Sequence, residues 1–346
     1  MSVEPEIMFD LRDGIAEVTL NRPQALNALT LNMVRILDSQ LAAWETDDAV
    51  CVVVVRGAGD KAFCAGGDIQ KLYDGGPKSL ITQEFFREEY RLNWRIHNYP
   101  KPYIAIMDGI TMGGGVGLSV HASTRIAADN TIFAMPETGI GLFPDVGGSW
   151  FLPRLPGELG MYMAMTGARL KSADCVYAKI CDAYMPSDRH DEFVAALRAG
   201  KGIENVLACF SVAPGEAALA EIRDAIDLCF SGCSVEEIVM ALEADGSEWS
   251  TKQLGIMAGK SPTSQKVAYR QLRAGAALDF DGCMVMEYRM SQAFMEGGDT
   301  FEGIRAVVVD KDMSPKWSPA SLSDLSDADV ARYFISLGER DLTFPD

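Results

Sequence analysis

Histidine is scarce in this chain: His97, His121 and His190 are the only three among 346 residues. None stands in an H-E-x-x-H run or beside paired cysteines, so neither a catalytic nor a structural zinc site is expected. His121 lies on an apolar segment and reads as a core residue. Cys64 has no histidine near it in sequence, and a small buried role suits it better than that of a nucleophile. No G-x-x-x-x-G-K-[ST] loop occurs, and Gly117–His121 (GLSVH) is not a G-x-S-x-G elbow. Asp310 and Asp312 make no calcium loop, because Pro315 stands where the loop needs glycine and no glutamate closes it. Positive charge is also in deficit. The net charge of −18 excludes nucleic acid or an anionic membrane surface as the main partner. No apolar run is long enough to span a bilayer. The eight cysteines include no C-x-x-C pair, and the acidic start MSVEPEIMFD has no basic or apolar targeting segment. Reduced thiols and a cytoplasmic location are therefore expected, or the mitochondrial matrix for a mature eukaryotic chain.

What is present is the composition of a globular enzyme, 48% hydrophobic and 23% charged, in a chain long enough for one large domain or two. Ile7–Leu11 and Ile15–Leu20 alternate around Asp13-Gly14, a hairpin signal. Thr30 can cap a helix whose Met33, Val34, Leu37, Leu41 and Trp44 share one face. Val50–Val55 is a β-branched run suited to a central parallel strand. From about Ala195 the pattern becomes mostly helical, with segments at Gly202–Phe210, Glu216–Phe230, Ser234–Asp245, Lys252–Gly259, Ser264–Ala274 and Cys283–Met295. Gly303–Asp310 is a short apolar run, and Asp327–Leu337 reads as a last helix. The expected plan is an α/β half over residues 1–195 and a mainly helical half over 196–346.

The chemistry concentrates between Pro102 and Leu155. Tyr103–Met107 reads as a buried strand. Gly113-Gly114-Gly115 follows and opens an apolar run, where unpaired N–H groups would stabilise negative charge on a substrate oxygen. The triplet is not a dinucleotide fingerprint, because Leu118 stands where the last glycine of G-x-G-x-x-G belongs. Glu137 and Asp145 come next, the second in a Gly/Pro-rich loop. Upstream, Lys61–Ile69 (KAFCAGGDI) repeats the plan of strand, small-residue loop and helix start. Taken singly, the glycines could be a tight turn and the acids solvated; it is the combination that points to a site. Phe85, Phe86, Glu89 and Tyr90 fall near one helical face, so Glu89 is either a buried acid or the partner of Arg87 at the surface.

These residues stand in a recognisable order. With NRPQALNAL, VCVVVVRGAG, KAFCAGGDI and DGITMGGGVGL, the chain resembles the crotonase (enoyl-CoA hydratase/isomerase) superfamily. FFREEY, GGGVGLSVH, the stretch from FAMPETGIGLFPDV to FLPRL, SPTS with RQL, MEYRMSQ and EGIRAVVVDKD extend the likeness from near residue 7 to about residue 338, closest to the thioester-hydrolysing branch. The resemblance implies an α/β fold, a crotonase-like spiral of ββα units with two roughly perpendicular sheets and a helical C-terminal region. It implies an acyl-CoA substrate, with no separate cofactor and no metal. Gly67 and Gly114 would supply the oxyanion-hole N–H groups, Glu137 the principal carboxylate and Asp145 the second acid. Glu89 would line the acyl pocket, and Ala28, Ala65, Gly66, Asp68 and Ile69 would bind substrate. Arg22, Lys61 and Lys71 are candidates for the coenzyme's phosphates.

The activity so implied is hydrolysis of a short 3-hydroxyacyl-CoA, such as 3-hydroxyisobutyryl-CoA or 3-hydroxypropionyl-CoA, in valine catabolism. Hydratases of the superfamily carry a second glutamate two residues after the glycine triplet, and here that position is Gly117. Hydration or isomerisation, and a non-catalytic subunit of the same fold, are the alternatives. Glu137 could act as nucleophile or as general base. The helical half could cover the core or build the interface of a homo-oligomer.

Overall fold

The computed structural model describes residues 4–345. Contacts gather the chain into two compact units, each made of separate stretches. One takes the stretch up to Gly67, Arg91–Phe133 and Arg169–Ala220; the other takes Asp68–Tyr90, Ala134–Ala168 and the stretch from Glu221 onward.

The first unit holds the strands β1 (Ile7–Arg12), β2 (Ile15–Leu20), β3 (Val52–Gly57), β4 (Ala62–Cys64), β5 (Tyr103–Met107), β6 (Ile110–Met112), β7 (Thr124–Ala127), β8 (Ile132–Ala134, to Phe133), β9 (Leu170–Lys171) and β10 (Ala183–Tyr184). They form a six-stranded sheet in the order β1-β2-β3-β5-β7-β10 and a four-stranded sheet in the order β4-β6-β8-β9. The β1–β2 hairpin turns on Asp13 and Gly14, both at positive φ, as a tight two-residue turn between twisted strands requires. β3 runs parallel to β2 and β5, and Val53, Val54 and Val55 are completely buried, as a strand covered on both faces demands. Helix Leu31–Glu45 begins where the Thr30 side chain accepts the Met33 N–H at 3.1 Å, and the five apolar residues read from its periodicity are all buried.

The second unit is built on the helices Leu159–Thr166, Val235–Asp245, Glu248–Ala258, Pro262–Gly275 and Phe280–Phe294. Four of them start alike, with Ser234, Ser247, Ser261 or Asp279 accepting a first-turn N–H. Helix Pro262–Gly275 ends hard against Ser149, whose carbonyl a side chain at Gly275 would overlap. One segment that the sequence left open takes a definite form, and one differs from expectation. The apolar run after Gly303 is helical, with Asp299–Ile304 passing into a wider π turn at Arg305–Val309, and Gly303 lets that helix press on the backbone of Ile140. The last helix is shorter, Asp327–Ala331 followed by a 3-10 turn at Arg332–Phe334. Among the described residues no helix is long and apolar enough to cross a membrane.

Candidate active site

In the first unit the two glycine loops lie side by side. Gly113 sits at φ 48° and ψ −125°, open only to glycine at little cost, and it launches helix Gly114–Ser119. A Cβ placed on Gly66 would stand 3.5 Å from the Met112 carbonyl oxygen and 3.9 Å from the Gly114 nitrogen. Gly115 backs onto the Cys64 carbonyl, which a side chain there would overlap. Cys64 itself is wholly buried, with its thiol 3.6 Å from the Gly66 carbonyl, so it is a packing residue. The Gly66 loop is tied down from both sides. The Leu29 N–H donates to the Gly66 carbonyl at 2.8 Å, and the Ala65 N–H to the Leu26 carbonyl at 3.0 Å. Asn27, fully buried, donates to the carbonyls of Ala58 and Ala62 at 3.0 and 2.7 Å. Among the described residues no backbone acceptor meets the N–H of Gly67 or of Gly114.

In the second unit the acids form a buried cluster. Glu137 opens the 3-10 turn Glu137–Ile140 and is 4% exposed, and its Oε2 has no hydrogen-bond partner among the described residues. Burial first, then the neighbouring Asp145 charge, push its carboxyl well above the usual range, against a pull from Lys260. Asp145 accepts the Tyr90 hydroxyl at 2.9 Å. Burial raises Asp145 to about 7, while the Tyr90 hydrogen bond works in the other direction. Glu89, beside Tyr90 on helix Leu80–His97, is buried with Oε1 unpartnered, and it too is pushed up by burial and by Asp145. Glu287 is completely buried and raised to about 8. Acids this close in a dry setting cannot all ionise together, so their apparent pKa values belong to the cluster.

The loops that carry these acids are held at many points. Val146 and Gly147 adopt φ of 50° and 90°, turning the chain just after Asp145. Glu287 accepts the N–H groups of Gly147 and Ser149 at 2.8 Å each and the Ser149 hydroxyl at 2.5 Å. The Gln271 amide donates to the Pro144 carbonyl at 2.6 Å. At the Glu137 turn, the Ser261 N–H reaches the Thr138 carbonyl at 3.1 Å and the Thr300 hydroxyl the Gly141 carbonyl at 2.7 Å.

The structure brings together the glycine-loop residues Ala65, Gly66, Gly67 and Gly114 in one unit, with Ala28 next to the bridge between Leu29 and Gly67. It brings together Glu89, Glu137 and Asp145 in the other, where Asp68 and Ile69 open helix Ile69–Gly75. Glu89 has no pairing with Arg87, whose guanidinium instead donates to the Tyr288 hydroxyl and the Arg340 carbonyl. Arg22 is engaged with Glu6 and the Ala28 carbonyl, whereas Lys61 and Lys71 are exposed. His121 is buried with its ring 5.8 Å from that of His97. Tyr90, Lys260, Gln271 and Glu287 were not among the expected site residues. Tyr90, Gln271 and Glu287 lie inside FFREEY, RQL and MEYRMSQ, runs that the sequence marks without assigning them a role.

Known proteins bear on this geometry. The chain is 47% identical to the 3-hydroxyisobutyryl-CoA hydrolase, mitochondrial, of Danio rerio, over 97% of this chain and 91% of that one. It is 45% identical to the Homo sapiens protein of the same name, over 98% and 91%. Those names carry a mitochondrial location and lend no support to the cytoplasmic expectation. Among solved structures, a carnitinyl-CoA dehydratase from Mycobacterium thermoresistibile is 41% identical with a TM-score of 0.94, covering 98% of each chain. An enoyl-CoA hydratase from Rhodobacter sphaeroides is 37% identical with a TM-score of 0.92, over 98% of this chain and all of that one. The family model described as enoyl-CoA hydratase/isomerase matches residues 15–334. With two sheets, facing glycine loops and a helical C-terminal region all in place, the chain belongs to the enoyl-CoA hydratase/isomerase family.

Proposed function

We propose that the protein hydrolyses a short 3-hydroxyacyl-CoA thioester, foremost 3-hydroxyisobutyryl-CoA, to the free acid and CoA. The observation that carries this reading is the pairing of buried Glu137 with Asp145 while Gly117, inside helix Gly114–Ser119, offers no second carboxylate. The names of the relatives supply the acyl group, and with it a place in valine breakdown. For a eukaryotic chain the mitochondrial matrix is the matching compartment.

In this reading the unspent N–H groups of Gly67 and Gly114 form an oxyanion hole for the thioester oxygen. Each donor aimed at the developing charge is worth roughly 3 kcal/mol of barrier. The Glu137 carboxylate acts on the carbonyl carbon, either by direct attack to form an acyl anhydride or by taking a proton from an attacking water. The tetrahedral oxyanion collapses as the C–S bond breaks. Asp145, with its carboxyl raised to about 7, gives its proton to the leaving thiolate. In the anhydride route, water then cleaves the acyl–Glu137 bond and restores the carboxylate. Glu89 borders the acyl group, and Ala28, Ala65, Gly66, Asp68 and Ile69 border the remainder of the substrate. A single turnover in oxygen-18 water, followed by peptide mass analysis, separates the two routes. Label in Glu137 identifies the anhydride, and an unlabelled Glu137 argues against it.

The names of the two solved relatives, a dehydratase and a hydratase, favour a second reading, addition of water to an enoyl-CoA or its reverse. Loss of crotonyl-CoA absorbance without thiol release would establish it.

A further inference from the structure

We infer that Gln271 and Glu287, on two helices of the C-terminal half, are positioning residues that hold Asp145 in its working geometry. The inference rests on the hydrolytic reading above, and it gives a function to two sequence runs that the reading leaves unused. Both side chains are fully buried. Gln271 donates to the Pro144 carbonyl at 2.6 Å, immediately before Asp145. Glu287 collects the Gly147 N–H, the Ser149 N–H and the Ser149 hydroxyl, immediately after it. Gln271 also approaches Glu287, Nε2 to Oε1 at 3.5 Å, which links the two supports. Between them the chain makes a turn that it would not adopt unaided: Val146, a β-branched residue, sits at φ 50°. Such a conformation costs on the order of 1–3 kcal/mol and persists only when its surroundings impose it. The Gly148 N–H closes the turn onto the Asp145 carbonyl at 2.8 Å.

The choice of a carboxylate at position 287 follows from the donors. Two N–H groups and a hydroxyl converge on one side chain, and the two oxygens of a carboxyl group can accept all three with or without a proton of their own. A glutamine would turn its own NH₂ toward one of them. Burying an acid is costly unless it is so satisfied, which marks Glu287 as more than filler. Neither residue has to touch the thioester. Their effect is to fix where the Asp145 carboxyl stands while Tyr90 fixes how it points.

The test uses Glu287→Gln and Gln271→Met in the full-length protein, with wild type and Asp145→Asn assayed beside them for thiol release from 3-hydroxyisobutyryl-CoA. The expected result is a kcat lowered about 10-fold or more with KM changed less than about 3-fold, because the turn serves the chemical step. Hydrogen exchange at the Gly147 and Ser149 amides, followed by mass spectrometry, is expected to speed up in Glu287→Gln while the sheet of the first unit keeps its protection. Wild-type kcat in a folded Glu287→Gln variant, or unchanged exchange at those amides, would overturn the inference. Should Glu287→Gln fail to fold, Ser149→Ala removes one of the three donors at less cost, and the same two readouts decide. If wild type releases no thiol, the hydrolytic reading fails on its own, and the exchange measurement still decides whether Glu287 holds the turn.

Discussion

Glu137 sits in a place that penalises its charge, and the penalty is informative. Burial first and then the neighbouring Asp145 raise its carboxyl well above the usual range, and one of its oxygens has no partner among the described residues, the setting in which a carboxyl exchanges protons with a substrate. Glu137→Gln and Asp145→Asn are each expected to lower turnover by ~10²-fold or more without unfolding the protein. Near-normal turnover in either variant would remove that residue from the mechanism. Tyr90→Phe deletes the hydroxyl that Asp145 accepts, a bond that lowers the Asp145 pKa. The variant's Asp145 pKa therefore rises further, and the limb of the kcat/KM profile that Asp145 controls moves to higher pH, by about one unit. The sequence marked Glu137 and Asp145 by the glycine-rich loops around them, and it singled out Gly67 and Gly114 through the family resemblance. Tyr90 and Glu287 were not legible there, because only the tertiary fold brings them to Asp145 from 55 positions before it and from beyond position 280.

The elements divide the work between glycine loops that need room and helices that supply grip. Gly115 is glycine because the Cys64 backbone lies where a Cβ would go, so Gly115→Ala must push the two loops apart. A loss of several kcal/mol in urea unfolding is expected, together with lost turnover. Asn27→Ala would leave the Ala58 and Ala62 carbonyls without their donor, at about 2–4 kcal/mol by the same measurement. The hairpin, the capped helix Leu31–Glu45 and strand β3 were readable from alternation, a cap residue and a valine run. The run after Gly303 was not settled by composition, since short apolar runs suit strand or helix alike. In the fold it is helical, and Gly303 lies against the backbone of Ile140. The last helix stopped early for a reason that periodicity does not record, the 3-10 turn at Arg332–Phe334.

Across the whole molecule the buried acids link stability to pH. Asp145 is raised from 3.8 to about 7 and Glu287 from 4.5 to about 8. Between those values the folded chain holds protons that the unfolded chain has released, so stability is fullest at low pH and falls as pH climbs through the folded values. The melting temperature is expected to drop from pH 6.5 to 8.5, by the equivalent of a few kcal/mol, and the drop should shrink in Asp145→Asn and Glu287→Gln. A melting temperature that rises over that interval would contradict the buried, protonated acids. With a net charge of −18 the chain as a whole repels a polyanionic coenzyme, and if exposed Lys61 is one of the local donors that offset this, KM rises in Lys61→Ala. The most direct test of the account follows two signals in one purified sample. Free thiol from 3-hydroxyisobutyryl-CoA and 3-hydroxypropionyl-CoA is recorded beside the enoyl absorbance of crotonyl-CoA. Rapid thiol release with a steady enoyl signal is the predicted result; enoyl loss without thiol release would contradict the account.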